Sequence, residues 1–159
     1  MYKFNSRYRQ FSESLSILKD PAYILSNCVK KIESYSTNLF KDYEILSDGS
    51  VDIKGFISFW WIKEKTNIDF VKDGRFIKKF NHVLGAFDCS NCGLTTLENG
   101  PKFVYGTFSC NKNKLTSLDG CPKLVDGNFK CYGNTTYFDY DDIINKCKVI
   151  GEIVNDNNK

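Results

Sequence analysis

Hydrophobic and polar residues alternate in short runs along much of this chain, and between residues 85 and 134 the runs recur at a fixed spacing. Gly85, Gly106 and Gly127 lie 21 residues apart. The same step relates two further sets of three residues, namely Phe87, Phe108 and Phe129, and then Cys89, Cys110 and Cys131. Repetition at such a period is typical of solenoids, in which each unit supplies a strand and a turn back, and successive units stack.

Alternation within one unit assigns its side chains to two faces. Residues two apart on a strand point to the same side, so Phe108 and Cys110 are predicted to face the core. Thr107 and Ser109 are then predicted to face outward. With 21 residues in a coil, the side opposite the strand has no room for a helix and should consist of extended chain or tight turns.

Asparagine and proline mark the bends of each coil. Asn113 and Asn134 fall where a buried amide side chain can satisfy backbone groups that would otherwise be unpaired. In the first repeat Cys92 takes this place. The dipeptides Gly100-Pro101 and Cys121-Pro122 are predicted to close the coils.

The chain before the repeat shows helical spacing and then a hairpin signal. Residues 12–35 carry an apolar stripe that includes Ile24, Cys28 and Ile32, and we expect this helical segment to cover the open end of the solenoid. A separate partner-binding helix is the alternative. Asp48-Gly49, between two short alternating runs, predicts an entry hairpin.

The segment from 56 to 75 departs from the period. Its first part, FISFWWI at 56–62, is predicted as an apolar strand. If Gly55 begins the first coil, Gly85 follows after 30 residues instead of 21, so nine residues are extra and are expected to project as a loop within 63–75. Such insertions often carry function, although a neutral surface insertion costs little free energy.

The chain after the repeat is predicted to close the fold. Residues 140–150 show helical spacing, with Ile143, Ile144 and Cys147 on one side, and Gly151 is expected to end this helix. Residues 155–159 are expected to be frayed.

Composition and charge narrow the function classes. A chain of 159 residues that is 42% hydrophobic and 26% charged can bury a real core. Its net charge of +3 is too near balance to indicate a polyanionic partner, which argues against nucleic acid. No segment approaches the roughly 20 apolar residues that span a bilayer, and the first residues lack the apolar core of a secretory signal. We therefore expect a cytoplasmic protein without membrane contact.

Residues suited to catalysis or metal binding are few. Cys89 and Cys92 form a C-x-x-C pair that Cys110, Cys121 and Cys131 could extend to a zinc site. Stacked coils would instead place equivalent thiols in a flat ladder with a spacing of about 4.8 Å, which does not supply a tetrahedral site, so no metal or cofactor is expected. His82 is the only histidine and is interpreted as a packing or surface residue. Asp141-Asp142 are interpreted as favourable charges at a helix start. An enzyme is not expected.

The outward strand positions are the best candidates for binding a partner. They form a shallow concave face, polar in the middle and aromatic at its ends, and aromatic side chains are frequent in binding hot spots. The candidate residues on this face are Phe56, Ser58, Trp60, Asp88, Ser90, Thr107, Ser109, Asn111, Asn128, Lys130 and Tyr132, and the inserted loop adds Lys63 and Lys65. Alternatively, Trp60 or Trp61 packs beneath the N-terminal helix.

The repeat resembles the leucine-rich-repeat-like proteins of tailed bacteriophages. The resemblance rests on Gly85-Ala86-Phe87-Asp88-Cys89-Ser90, on Leu115-Thr116-Ser117-Leu118-Asp119-Gly120 and on the entry segment Asp48-Gly49-Ser50-Val51-Asp52. It covers about residues 43–134. It implies a fold, but no catalytic residues and no settled activity.

Together these observations predict an α+β fold: a short leucine-rich-repeat-like β-solenoid of about three to four coils with a parallel sheet, capped by N-terminal helices and a short C-terminal helix. The expected segments are the helical cap (1–41), the entry hairpin and first strand (42–62), the inserted loop (63–75), the repeats (76–136), and the closing helix with a frayed tail (137–159).

The expected function is a non-enzymatic protein-binding module. On the resemblance, it would be a phage protein that binds and inhibits or redirects a host protein, including one of host defence. The alternatives are a structural or assembly component of the virion, and a zinc- or nucleic-acid-binding regulator. The sequence leaves open the partner, the oligomeric state and whether the protein is carried in virions.

Overall fold

The computed structural model describes residues 43–159, so the expected N-terminal helical cap, residues 1–41, lies outside the described residues. Its strands are β1 (Tyr43–Ile45), β2 (Val51–Ile53), β3 (Ile57–Ser58), β4 (Val71–Lys72), β5 (Arg75–Phe76), β6 (Phe80–Val83), β7 (Phe87–Asp88), β8 (Phe103–Val104), β9 (Phe108–Ser109), β10 (Leu124–Val125), β11 (Phe129–Lys130), β12 (Lys148–Val149) and β13 (Ile153–Val154). Its helices are α1 (Phe59–Thr66) and α2 (Tyr140–Ile144).

The strands stack into two main sheets, and the predicted short β-solenoid is confirmed. One sheet has six strands in the order β1-β2-β6-β8-β10-β12, and the other has five in the order β13-β11-β9-β7-β3. Neighbours in both are parallel except β1 and β2, which form the predicted antiparallel entry hairpin. Each coil thus carries two strands, one in each sheet, where the sequence pattern had indicated one.

Inward side chains form continuous columns through the coils. Phe87 pairs with Phe108 and Phe108 with Phe129 on neighbouring strands of the five-stranded sheet, and all three are buried. The ring centroids of Phe87 and Phe108 are 5.9 Å apart, and those of Phe108 and Phe129 are 5.2 Å apart. The six-stranded sheet adds a second buried column of β-branched residues, namely Ile53, Val83, Val104 and Val125.

Glycine occupies the bend between the two sheets because neighbouring coils come too close there for a side chain. A Cβ on Gly106 would lie 2.6 Å from the carbonyl carbon of Gly85, and a Cβ on Gly127 would lie 2.6 Å from that of Gly106. Real Cβ atoms essentially never come this close to backbone. The 21-residue glycine step therefore follows from the stacking distance of the coils.

The predicted apolar strand at 56–62 is wrong beyond Ser58. Only Ile57–Ser58 is extended, and α1 begins at Phe59. Phe59 and Ile62 are three residues apart and both buried, whereas Trp60 between them is exposed. That spacing is helical, and in a run of apolar residues it cannot be distinguished from a strand by hydrophobicity alone.

The segment 63–75 is not the loop that the sequence predicted. Its first residues continue α1 to Thr66, and the C-cap residue Asn67 adopts the left-handed conformation with φ 57°. β4 and β5 then form an antiparallel hairpin across Asp73-Gly74. Phe70 directly precedes β4 and Phe76 ends β5, so both lie at the open end of this hairpin, and both are buried in the core. The additional length of the first coil therefore contributes to packing.

The carboxy-terminal segment 137–159 also differs from the prediction. The helix covers only Tyr140–Ile144, and β12 and β13 then extend the six-stranded and five-stranded sheets by one strand each. Ile143 and Cys147 are buried as expected, but Ile144 is exposed. Residues 155–159 are hydrogen-bonded and not frayed: Asn155 is buried, and its Nδ2 donates to the carbonyl oxygen of Phe138 at 3.2 Å.

Candidate binding surface

The outer face of the five-stranded sheet, called here the polar face, carries most of the residues predicted to bind a partner. Its central column consists of outward side chains paired in register across β3, β7, β9, β11 and β13, namely Ser58, Asp88, Ser109, Lys130 and Val154. The predicted outward residues Thr107 and Ser109 are half-buried here, while their neighbours Phe108 and Cys110 are fully buried. The alternation of faces in this strand is therefore as predicted.

Two predicted members of the polar face are not accessible. Ser58 is 5% exposed and Asn111 is 7% exposed. The Ser58 hydroxyl donates to Asp88 Oδ2 at 3.2 Å, and Asp88 Oδ1 accepts hydrogen bonds from the backbone N–H and the hydroxyl of Ser90. The end of the face near β3 is thus occupied by internal hydrogen bonds, which reduces its capacity to bind a partner.

The predicted contribution of α1 to the polar face is wrong for Trp60. This side chain is half-exposed, but it lies on the helix and not in the strand column that Ser58 belongs to. Phe56 is half-buried just before the strand. Lys63 and Lys65 are exposed on α1, where they form ion pairs with Asp69 and Glu64 respectively.

The other end of the polar face forms an open groove of about 600 Å³. It brings together three predicted residues, Asn128, Lys130 and Tyr132, with five that the sequence reasoning missed: Lys112, Gly133, Glu152, Val154 and Lys159. We call this set the basic groove. Three of the missed residues belong to the carboxy-terminal strand and tail that had been interpreted as a cap.

The basic groove carries an excess of positive charge. Lys159 Nζ lies 2.8 Å from Asp156 Oδ1, and this hydrogen bond holds the pKa of Asp156 below its ordinary value. The ion pairs among the described residues do not involve Lys112 or Lys130. Two ammonium groups therefore remain available to a partner, with Glu152 as the one acidic lining residue.

A signal for the missed groove residues exists in the sequence, but with a different step. Phe129 pairs with Ile153 and Lys130 with Val154, a separation of 24 residues where the repeat has 21. Gly151 matches this step, because a Cβ there would lie 2.6 Å from the carbonyl carbon of Gly127. The last coil is longer because it contains α2.

The outer face of the six-stranded sheet, called here the apolar face, was also missed. The residues that flank the buried valine column form this face. Most are apolar, namely Leu84, Phe103, Tyr105, Leu124 and Ile150, but the equivalent positions of other coils carry Lys54, Asp126 and Lys148. Leu84 and Ile150 are each 56% exposed and Tyr105 is 45% exposed. The sequence signal is a valine two residues before each coil glycine, as in Val104-Tyr105-Gly106, with the flanking residues necessarily outward.

The cysteines line the interior as a ladder. Cys89, Cys110 and Cys131 are buried in consecutive coils, and burial raises the pKa of the Cys131 thiol to about 12. Burial likewise raises the pKa of Cys92 to about 12. Within residues 43–159, no three Cys, His, Asp or Glu side chains are grouped so that they could hold a metal ion. These thiols are packed as small apolar groups and are poor nucleophiles at neutral pH.

His82 lies on the apolar face and packs against a neighbour. Its ring stacks on Phe103 with centroids 5.0 Å apart, and its Nδ1 is 3.3 Å from Asp52 Oδ1. Burial opposes ionisation of Asp52, but hydrogen bonds from the His82 backbone N–H and the Asn81 side chain lower its pKa. This arrangement agrees with the interpretation of His82 as a packing residue.

No protein-family model and no curated protein matches this sequence, and no solved structure matches the fold. In the part of the chain from Tyr43 onward, the helices are too short to cross a membrane. The resemblance to phage repeat proteins therefore rests on the sequence pattern alone.

Proposed function

We propose that this protein is a non-enzymatic binding module that recognises a protein partner through the basic groove. The observation that carries the proposal is the convergence of Lys130, Tyr132 and Asn128 with Lys112 in one open groove at the end of the polar face. A tyrosine supplies a large contact area at low entropy cost, and unpaired lysines favour a partner surface with carboxylates.

The rest of the described chain supports a scaffold role. Burial raises the pKa of the Cys131 thiol and disfavours the nucleophilic thiolate, and the Asn113 and Asn134 side chains at the bends are hydrogen-bonded to backbone. Rigid stacked strands hold the groove residues at fixed distances, which limits the ordering cost of binding. On the resemblance of the repeat pattern to phage proteins, we propose that the partner is a host protein in the infected cytoplasm and that binding inhibits or redirects it.

The test is capture of partners from the lysate of phage-infected host cells by the tagged full chain, with matched variants. Lys130→Glu and Tyr132→Ala alter the groove. Lys123→Glu and Tyr137→Ala make the same chemical changes at exposed positions outside it. The expected result is a protein retained by wild type and by both control variants.

Both groove variants should lower the affinity for that protein at least about tenfold, in keeping with the loss of a central aromatic or charged contact. Equal retention by all five proteins would contradict the proposed site. If the retained protein is a phage structural protein that is also found in purified particles, the protein is an assembly component and not an inhibitor.

A further inference from the structure

The last coil ends the two main sheets in different ways. In the five-stranded sheet, the side chain of Asn158 covers the backbone of β13. Its Oδ1 accepts a hydrogen bond from the N–H of Asn155 at 2.9 Å, and its Nδ2 donates to the carbonyl oxygen of Ile153 at 2.9 Å. The amide thus makes hydrogen bonds that a further strand would otherwise make, which protects this edge from pairing with another chain.

The six-stranded sheet is open at the same end of the solenoid. The N–H of Lys148 donates to the carbonyl oxygen of Lys123 at 2.9 Å. The N–H of Ile150 donates to the carbonyl oxygen of Val125, also at 2.9 Å. Since successive residues of a strand direct their backbone polar groups to alternate sides, Val149 directs its N–H and C=O away from β10. Neither group has a hydrogen-bond partner among residues 43–159, and we call this side of β12 the open edge.

A groove of about 360 Å³ lies along the open edge, between β12 and the end of α2. It is lined by Ile144, Asn145, Lys146, Cys147, Lys148 and Val149. The side chain of Val149 is half-buried and packs against the core, whereas Lys148 is exposed and Ile150 is 56% exposed. A strand placed at this edge would therefore meet an ammonium group, a half-buried aliphatic group and an exposed aliphatic group in succession.

The chemistry of the open edge indicates what it binds. An unpaired N–H and C=O on one strand residue are satisfied together by the backbone of an added strand. Lys148 is absent from the ion pairs of the described chain, so its ammonium group favours a carboxylate on that strand. Lysine at an edge disfavours pairing with a second copy of this chain, because the second β12 would bring the same positive charge.

We propose that the open edge of β12 binds an extended segment of a protein partner by strand addition. The bound segment places an acidic side chain beside Lys148 and an aliphatic one beside Ile150, and the aliphatic residue between them contacts Val149. This site lies on the other sheet from the basic groove and goes beyond the proposed function. Because β12 is two residues long, the segment makes few hydrogen bonds and binds weakly on its own.

Two short peptides with blocked ends serve as probes. Threonines flank a central glutamate-valine-isoleucine in one peptide, which fits a strand parallel to β12, and isoleucine-valine-glutamate in the other, which fits an antiparallel strand. Each is titrated into the isotope-labelled full chain and followed by nitrogen–proton correlation spectra, which detect weak binding. One peptide should shift the amide resonance of Val149 to saturation and slow its hydrogen exchange. The amide of Asn155, already bonded to Asn158, should not shift.

Val149→Pro separates backbone pairing from side-chain contact. Proline has no N–H, and on an edge strand whose N–H faces outward it removes no bond to the sheet, so the variant should fold. It should raise the dissociation constant of the bound peptide at least about tenfold, as followed at the Ile150 amide. Val149→Thr keeps the N–H and the branched shape, and should change the dissociation constant less than about threefold. Circular dichroism establishes that both variants are folded.

The charge preference has its own test. Lys148→Glu should weaken binding of the glutamate peptide at least about threefold and strengthen binding of a peptide with lysine in place of the glutamate. If Val149→Pro does not fold, a peptide methylated at its three central backbone nitrogens replaces that variant, because it cannot donate to the carbonyl oxygen of Val149. Its dissociation constant should be at least about tenfold higher than that of the unmethylated peptide.

If neither peptide shifts the Val149 amide at millimolar concentration, the proposal is overturned, whether or not another part of this chain covers the edge. Equal binding to wild type and to folded Val149→Pro, or equal binding of the methylated and unmethylated peptides, overturns strand addition. Unchanged preference for the glutamate peptide in Lys148→Glu overturns the acidic partner. None of these outcomes affects the basic groove, whose variants are tested by partner capture.

Discussion

Asn113 closes the bend of its coil with a single buried side chain, so its removal tests how the coils are held together. Its Oδ1 accepts hydrogen bonds from the backbone N–H of Cys92 at 3.0 Å and of Leu94 at 3.1 Å. Its Nδ2 donates to the carbonyl oxygens of Cys89 at 2.9 Å and of Cys110 at 3.0 Å. The residue is 7% exposed, so water does not reach these groups freely.

Asn113→Ala removes these four hydrogen bonds, together with a longer one of 3.4 Å from Nδ2 to the carbonyl oxygen of Asn111, and leaves their backbone partners buried. A net hydrogen bond contributes about 1 kcal/mol, and a buried polar group left unpaired costs about 1–3 kcal/mol. Allowing for partial relaxation of the bend, we expect the free energy of unfolding to fall by about 4 kcal/mol. That is a large part of the roughly 5–15 kcal/mol of an ordinary domain, so the variant should be folded but much less resistant to denaturant.

Urea unfolding, followed by far-ultraviolet circular dichroism and tryptophan fluorescence, measures this loss. Asn134 provides an intermediate case, because it is half-buried and makes fewer such hydrogen bonds: one of 3.3 Å from the N–H of Leu115, and two from its Nδ2 to the carbonyl oxygens of Cys110 and Cys131. Asn145 is exposed at the end of α2, and Asn145→Ala should cost less than about 0.5 kcal/mol. If Asn113→Ala came within about 1 kcal/mol of Asn145→Ala, the amide would not be what holds the bend.

Three further outcomes follow from the same packing. Gly106→Ala should lower the free energy of unfolding by about 2 kcal/mol or more, because its Cβ would meet backbone at 2.6 Å. Gly55→Ala, in the first coil with open space around it, should be tolerated. Thermal unfolding of both variants checks this difference. In urea titration, Phe108→Ala should lower the free energy of unfolding by about 3–5 kcal/mol and Ser109→Ala by less than about 1 kcal/mol. Equal small losses for both variants would show that the inward and outward orientations of these side chains are wrong. Alkylation at pH 8, measured by mass spectrometry, should modify Cys131 at least about 100-fold more slowly in the native protein than in urea. Burial raises the pKa of this thiol to about 12, so little thiolate is present in the native protein. Similar alkylation rates in both states would contradict the buried ladder.

The interior of the repeats could be predicted from the sequence because one physical constraint recurs there. Each coil requires a flat aromatic ring, a small thiol and a residue without a side chain at the same three positions. The sequence repeats Phe, Cys and Gly accordingly. Phe108 at 1% exposure and Cys110 at 0% show this facing directly. The amide of Asn113 was predictable for the same reason, since every coil has a bend with unpaired backbone groups.

The ends of the solenoid were harder to predict because the period changes there. The helical run from Phe59 to Ile62 is apolar throughout, and an apolar run of that length fits a buried strand equally well. In the last coil, α2 lengthens the step from 21 to 24 residues, so Ile153 and Val154 did not align with the repeat. As a result, three residues of the basic groove, Glu152, Val154 and Lys159, were interpreted as part of the closing segment and its tail.

The outward columns obey no comparable constraint, and this is why they carry the functional information. Along the central column of the polar face the side chain changes from hydroxyl to carboxylate, back to hydroxyl, to ammonium and to an aliphatic group, while the inward column beside it stays apolar. Stacking of the coils tolerates any residue at an outward position, so the repeat that predicts the fold does not indicate what the outer surface binds. The informative positions are those where outward chemistry concentrates. Lysines gather at one end of the polar face, and apolar side chains gather across the middle of the other sheet.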